Sequence, residues 1–144
     1  MESFAIDVVG GTSFSHLWGA SAIGGIVHGL MGIRATAPGF QTFTVHPRLG
    51  GLQHASVRVP TLYGYINATA TPKNLSLNVP CNTQARACLL APAVAAAAEG
   101  QRGEGRALLL DGEAVAAVRE GLHLCSQVPV VCGAGGRDRI LSLQ

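Results

Sequence analysis

The sequence carries little charge and few aromatic residues. Of its 144 residues, 12% are charged, half of the usual ~25%, and 5% are aromatic, with a single tryptophan. A chain that is 48% hydrophobic with so few charges is not a disordered acidic or basic tail. Nine arginines and one lysine against eight acids give a formal net charge of +2. That charge is too small for the basic surface of a non-specific nucleic-acid binder, so we expect no nucleic-acid partner.

Long hydrophobic runs are absent as well. No stretch reaches the ~18 apolar residues of a membrane span, and Glu2 stands where a secretory signal peptide has basic residues. The four cysteines form two C-x6-C pairs, which is not a zinc-ribbon spacing. Buried free thiols are the favoured interpretation of these cysteines, and disulfides or a metal site are the alternatives. We expect no membrane partner, no metal and no cofactor, while the compartment stays open.

One helix is predicted near the N-terminus. Between residues 15 and 31, apolar side chains recur at steps of three and four, which is typical of a helical face. Gly32 follows as a plausible end of that helix. Gly24 and Gly25 lie inside it, where each costs roughly 1 kcal/mol relative to alanine, and this suggests close packing against another element.

Glycine and proline are plentiful, and after Gly39 the hydrophobic period becomes two. The 19 glycines and seven prolines predict many chain reversals, with Pro60 ending a strand. Strands are predicted over residues 40–45, 57–59, 63–71, 75–79, 85–90, 107–110, 122–125 and 139–143. Short strands separated by Pro and Gly turns are typical of an antiparallel β-sandwich. The predicted fold is therefore mainly β with one N-terminal helix, and the low-complexity segment 92–106 is predicted to be a loop.

An ordered series of short motifs runs through the first part of the chain. Its members are Met1-Glu2-Ser3-Phe4, Ser15-His16-Leu17-Trp18-Gly19-Ala20, Leu30-Met31-Gly32-Ile33-Arg34, Pro38-Gly39-Phe40 and Val59-Pro60-Thr61. This series resembles the end of bacterial-type α-L-rhamnosidases, which are inverting glycoside hydrolases with an (α/α)6 catalytic barrel. The resemblance implies that residues 1–35 are the terminal segment of that barrel, including its last helix. It also implies that residues 36–144 form a C-terminal antiparallel β-sandwich domain.

The resemblance also implies a site. An inverting glycosidase needs one carboxylic acid to protonate the leaving oxygen and one carboxylate to activate water. Glu2 matches the family's general base and His16 matches a residue that contacts the sugar. Trp18 matches an aromatic residue of the same motif, a candidate for substrate binding whose favoured role is packing in the barrel wall.

The same resemblance implies partners. These are a rhamnose-containing glycoside or polysaccharide and an N-terminal catalytic barrel that precedes Met1 in the family. Because that barrel supplies the general acid, we expect the isolated chain to be a catalytically inactive C-terminal fragment.

Non-catalytic interpretations compete with this one. A stand-alone β-sandwich could bind carbohydrate or a partner protein. Tyr63 and Tyr65 would share one face of a regular strand, but they are the only aromatic residues after residue 45, so a sugar platform is disfavoured. A third interpretation is an assembly module that uses the apolar helix face as its interface. Without the motif series, Glu2 would be an ordinary exposed acid and His16 a capping or core histidine. The remaining histidines are interpreted as structural or surface residues: His28, His46, His54 and His123.

Overall fold

The computed structural model describes residues 20–90, 108–120, 122–134 and 138–143. Helix α1 (Ser21–Gly24) continues directly into a π-helical stretch, Gly25–Leu30. The predicted helix is thus confirmed over these residues. It ends before Gly32, whose φ of +61° is the left-handed conformation that glycine adopts readily after a helix.

Eleven strands follow in the described part of the chain, and they form two sheets. The first sheet contains β1 (Arg34–Ala35), β2 (Thr42–Val45), β6 (Gln84–Leu90), β9 (Ala117–Glu120) and β10 (His123–Ser126). The second contains β3 (Ala55–Thr61), β4 (Gly64–Ala70), β5 (Asn74–Asn78), β7 (Leu108–Leu110), β8 (Glu113–Val115) and β11 (Arg139–Leu143). Their spatial orders are β1-β2-β6-β10-β9 and β3-β4-β5-β11-β7-β8. The predicted class, mainly β with one N-terminal helix, is confirmed.

Neighbouring strands are antiparallel in both sheets, with one exception. β2 and β6 are parallel, with Thr42 opposite Gln84 and Val45 opposite Ala87. The chain between them forms β3, β4 and β5 of the other sheet, so it is long enough for the crossover that parallel strands require. The sandwich is therefore antiparallel except at this pair.

The two sheets face each other across one hydrophobic core. The alternation on β5 explains this arrangement, because Leu75 and Leu77 are buried while Ser76 between them is partly exposed. The largest fully buried side chains are Phe43, Met31, Ile33, Ile66, Leu75, Leu77, Leu89, Leu108 and Leu141. Burying one such side chain contributes roughly 1.5–3 kcal/mol. Met31 and Ile33 belong to this core, so the end of the helix is anchored to the sandwich.

Some predicted details are wrong. Pro60 does not end its strand, because β3 continues to Thr61 at the edge of its sheet, where a missing backbone N–H is tolerated. No described atom lies within 4 Å of a β carbon placed on Gly24 or Gly25, so close packing of these glycines against another element stays a prediction. Three short strands, β1, β8 and β9, were not predicted.

The four cysteines form two disulfides, so the interpretation as free thiols is wrong. Cys88 on β6 lies directly opposite Cys125 on β10, with Cα atoms 4.0 Å apart. Cys81 is bonded to Cys132, with Cα atoms 5.1 Å apart. Each bond joins one C-x6-C pair to the other. The Cys88–Cys125 bond follows from strand register, which cysteine spacing alone does not give.

Two further expectations concern segments rather than single residues. The low-complexity segment 92–106, predicted to be a loop, lies outside the described residues. Within the described ranges, no helix is long and apolar enough to cross a membrane. In those ranges, no cluster of three or more His, Cys, Asp or Glu side chains is placed to hold a metal ion.

Candidate functional site

The three predicted site residues, Glu2, His16 and Trp18, lie outside the described residues. The structure does describe how the helix that follows them meets the sandwich. The backbone N–H of His46 donates to the carbonyl of Met31 at 3.3 Å, and that of Arg48 donates to Leu30 at 2.7 Å. The end of the helix is therefore tied to the segment that follows β2.

One quoted motif meets the turn that follows another. In Pro38-Gly39-Phe40, Gly39 has a φ of +65°, and a β carbon there would lie 2.9 Å from Cδ1 of Leu62. Leu62 belongs to the turn that follows the motif Val59-Pro60-Thr61. In that turn the backbone N–H of Tyr63 donates to Thr61 Oγ1 at 3.1 Å. These motifs thus have a packing role in which one turn lies against the other.

A cavity with a basic lining lies where the helix ends. Its volume is about 170 Å³. We call it the helix-end pocket, and it is lined by His28, Gly32, Arg34, Thr44, His46 and Arg48. His28 is held by its Nδ1, which donates to the carbonyl of Ile33 at 2.8 Å. Among these described lining residues there are two guanidinium groups and no carboxylate.

His46 also contacts His123, and their ring centroids are 3.8 Å apart at an interplanar angle of 89°. The Nε2 atoms of both rings are buried and have no hydrogen-bond partner among the described residues. Burial, reinforced by His123 and Arg48, lowers the pKa of His46 to about 4. Burial also lowers the pKa of His123, although a hydrogen bond to the backbone of Pro47 acts in the opposite direction and raises it. Both rings are therefore neutral at pH 7.

Sequence reasoning missed this histidine pair. It treated both residues as structural or surface histidines without a partner. His46 follows β2 and His123 lies on β10, strands separated in the sheet by β6, so their proximity depends on the topology of the sheet. No motif or spacing in the sequence signals such a pair.

The buried disulfide Cys88–Cys125 lies near an ion pair that joins two strands. Arg86 on β6 contacts Glu120 on β9 at 2.5 Å, and both side chains are nearly half exposed. The second oxygen of Glu120 lies 3.7 Å from Sγ of Cys125. An ion pair this exposed contributes only about 0–1 kcal/mol to stability. Its main consequence is that the Glu120 charge is already paired with a cation.

A groove with a mainly apolar surface and several polar side chains runs along the parallel strands β2 and β6. It consists of two cavities of about 310 and 290 Å³ that share Thr42 and Gln84. Hydroxyl and amide side chains dominate the polar lining: Thr36, Thr42, Thr44, Thr83, Gln41, Gln84, Gln127, Asn82 and Ser126. Such a lining can hydrogen-bond a polar ligand.

The two exposed tyrosines occupy different parts of the β3–β4 hairpin. Tyr63 lies in the turn between β3 and β4, while Tyr65 lies on β4, so they are not on one regular strand. The guanidinium of Arg58 also covers one face of the Tyr65 ring, 3.6 Å from its centroid. The condition of one regular strand, under which the two rings would share a face, is therefore not met.

Comparison with known proteins gives the family. The model of the family described as "Bacterial alpha-L-rhamnosidase C-terminal domain" matches residues 32–104, half of the chain. The chain belongs to this family. Its match begins at Gly32, where the helix ends, and it includes both motifs, Pro38-Gly39-Phe40 and Val59-Pro60-Thr61. The resemblance inferred from the motif series is confirmed.

A solved structure shows the same fold as this rhamnosidase C-terminal domain. The α-L-rhamnosidase from Dictyoglumus thermophilum superposes with a TM-score of 0.59 and 15% sequence identity. The similar region covers 86% of this chain and 14% of that enzyme. The chain thus corresponds to a small part of the length of that protein. No curated protein matches the chain.

Proposed function

We propose that the chain is the C-terminal part of an inverting α-L-rhamnosidase-like glycoside hydrolase that releases terminal α-L-rhamnose. The family match carries this proposal. The coverage supports it, because a sandwich of this size accounts for 14% of the related enzyme. The rest of the protein would then supply an (α/α)6 barrel, of which residues 1–35 are the terminal segment.

In this proposal Glu2 is the general base. It takes a proton from the water that attacks the anomeric carbon, while a carboxylic acid of the preceding barrel protonates the leaving oxygen. His16 contacts the sugar, and Trp18 packs in the barrel wall beside it. Because one carboxylate cannot perform both proton transfers, the isolated chain is inactive.

The sandwich acts as a scaffold in this proposal. The anchoring of Met31 and Ile33 in the sandwich core supports that role. The backbone hydrogen bonds of His46 and Arg48 to the end of the helix support it further. In this role the sandwich would help to position the barrel, and a sugar contact requires such positioning.

The test uses the protein extended upstream by the in-frame coding sequence, with an aryl α-L-rhamnoside as substrate. Glu2→Gln should lower turnover by about 10²–10⁴-fold, since it removes the general base. Asp7→Asn, which removes a neighbouring carboxylate of the same segment, should leave turnover within a few-fold of the unchanged protein. Equal turnover of Glu2→Gln and Asp7→Asn would remove Glu2 from the mechanism. The 144-residue chain alone should release no nitrophenol above buffer.

A non-catalytic carbohydrate-binding role is the second candidate, and the hydroxyl and amide side chains in the groove along β2 and β6 favour it. In this role the groove would hydrogen-bond sugar hydroxyls through Thr42 and Gln84. Titration of the isolated chain with L-rhamnose, followed by amide chemical shifts, should then perturb both residues. A Gln84→Ala variant should lose the response. Shifts that stay unchanged throughout the titration would reject this role.

A further inference from the structure

The helix-end pocket carries more positive charge than its surroundings neutralise. Arg34 comes from β1 and Arg48 from the segment after β2, and both side chains line the cavity. The two ion pairs formed among the described residues use Arg86 and Arg139 instead. Within that part of the chain, neither Arg34 nor Arg48 has a carboxylate partner within 4 Å.

Nearby acidic groups do not change this balance. Glu120 acts electrostatically on His46, but its carboxylate is held by Arg86 at 2.5 Å. The helix end contributes about half an elementary negative charge, which is less than the charge of two guanidinium groups. Its terminal carbonyls are also satisfied, since Leu30 accepts from Arg48 N and Met31 from His46 N. The pocket therefore remains positive.

The donors approach the cavity from several elements. Two guanidinium groups, the Thr44 hydroxyl on β2 and the His46 imidazole line it. The Nε2 of that imidazole is buried and has no hydrogen-bond partner among the described residues. Arginine guanidinium groups bind phosphate-like anions through paired N–H donors. A tetrahedral anion can accept hydrogen bonds from several directions at once, which suits this arrangement.

We propose that the helix-end pocket is a binding site for a small tetrahedral oxyanion of the phosphate or sulfate class. Arg34 and Arg48 bind its charge, and Thr44 and His46 supply further hydrogen bonds. The cavity of about 170 Å³ has room for such an anion together with several waters. This proposal uses neither Glu2 nor His16, and it does not rest on the proposed glycosidase function.

Calorimetric titration of the 144-residue chain with inorganic phosphate at low ionic strength tests the site. Saturable binding with one anion per chain is expected, and it should weaken as NaCl is added, because salt screens the attraction. Arg48→Gln should raise the Kd roughly tenfold or more, since hydrogen bonds to charged groups contribute about 1.5–3 kcal/mol. Arg34→Gln should act in the same direction.

Arg119→Gln is the matched control. It removes the same charge from an exposed side chain on β9, outside the pocket, and should change the Kd less than twofold. Amide chemical shifts provide an independent measurement, and phosphate should perturb Gly32, Thr44 and Arg48 selectively. If the Arg48→Gln variant does not fold, the Kd of the exposed Arg34→Gln variant is compared with that of Arg119→Gln instead. Three results would overturn the proposal. They are the absence of saturable phosphate binding, equal Kd values for Arg34→Gln and Arg119→Gln, and amide shift changes that spread over all arginines.

Discussion

Gly32 packs directly against the backbone of His46. A β carbon at Gly32 would overlap the carbonyl oxygen of His46 and would lie 2.7 Å from its carbonyl carbon. The φ of Gly32, +61°, is also one that other residues rarely adopt. Two independent constraints therefore require glycine where the helix joins the sandwich.

Gly32→Ala should destabilise the fold strongly. The left-handed backbone costs alanine about 1–3 kcal/mol, and the overlap with His46 adds to this, so we expect a total loss of at least ~3 kcal/mol. Gly50→Ala is the matched control, because Gly50 has a φ of +59° and nothing within 4 Å of its added β carbon. The Gly50→Ala variant should lose only the stability that the left-handed backbone costs alanine. Urea denaturation measures both variants, and equal losses would contradict the role of the His46 contact.

The two disulfides should be reduced in a fixed order under native conditions. Cys88 and Cys125 are 3% and 0% exposed, whereas Cys81 is exposed and Cys132 partly exposed. Thiol–disulfide exchange requires access of the attacking thiolate to a sulfur atom, so Cys81–Cys132 should open first. Alkylation at successive times followed by mass spectrometry gives the order. Early labelling of Cys88 and Cys125 in the folded protein would refute this prediction.

Acid should weaken the fold through the histidine pair. Burial, His123 and Arg48 lower the pKa of His46 to about 4 from an ordinary value of 6.5. Between these pH values the unfolded state binds a proton at His46 that the folded state does not bind. The free energy of unfolding should therefore fall as the pH drops from 6.5 to 4 and change little further from this cause below 4. The lowered pKa of His123 acts in the same direction.

Variants separate this effect from general acid sensitivity. His46→Gln removes the titrating group, so its free energy of unfolding should depend less on pH between 7 and 4.5, values that bracket most of the expected transition at about 6.5 to 4. His54→Gln replaces an exposed histidine outside the pair and should keep the original dependence. Urea midpoints at both pH values provide the comparison. A His46→Gln profile parallel to that of His54→Gln would show that His46 does not carry the effect.

The local features of the fold could be predicted from the sequence. The recurrence of apolar side chains at steps of three and four residues predicted the helix, and Gly32 predicted its end. The alternation around Leu75 and Leu77 predicted a strand with one buried face, and β5 has this face. These features depend on neighbours in the chain, so short windows of sequence contain them.

Features that depend on register and sheet order could not be predicted. Cys88 meets Cys125 because β6 pairs with β10, and no spacing between the cysteines contains that information. Pro60 continues a strand because β3 is an edge strand, a position that becomes known only from the complete sheet. The helix-end pocket likewise combines Arg34 and Arg48, which are ordinary surface arginines until the helix and β2 are brought together.

The position of β11 has a consequence for how the domain is completed during synthesis. This strand, Arg139–Leu143, lies in the middle of its sheet, between β5 and β7. Until a ribosome has released these residues, the β3–β4–β5 meander and the β7–β8 hairpin have no strand to join them. Between the synthesis of β8 and that of β11, the nascent chain therefore exposes two unpaired strand edges, those of β5 and β7. Such edges are sites where chains pair wrongly with one another. A single late strand closes both edges at once.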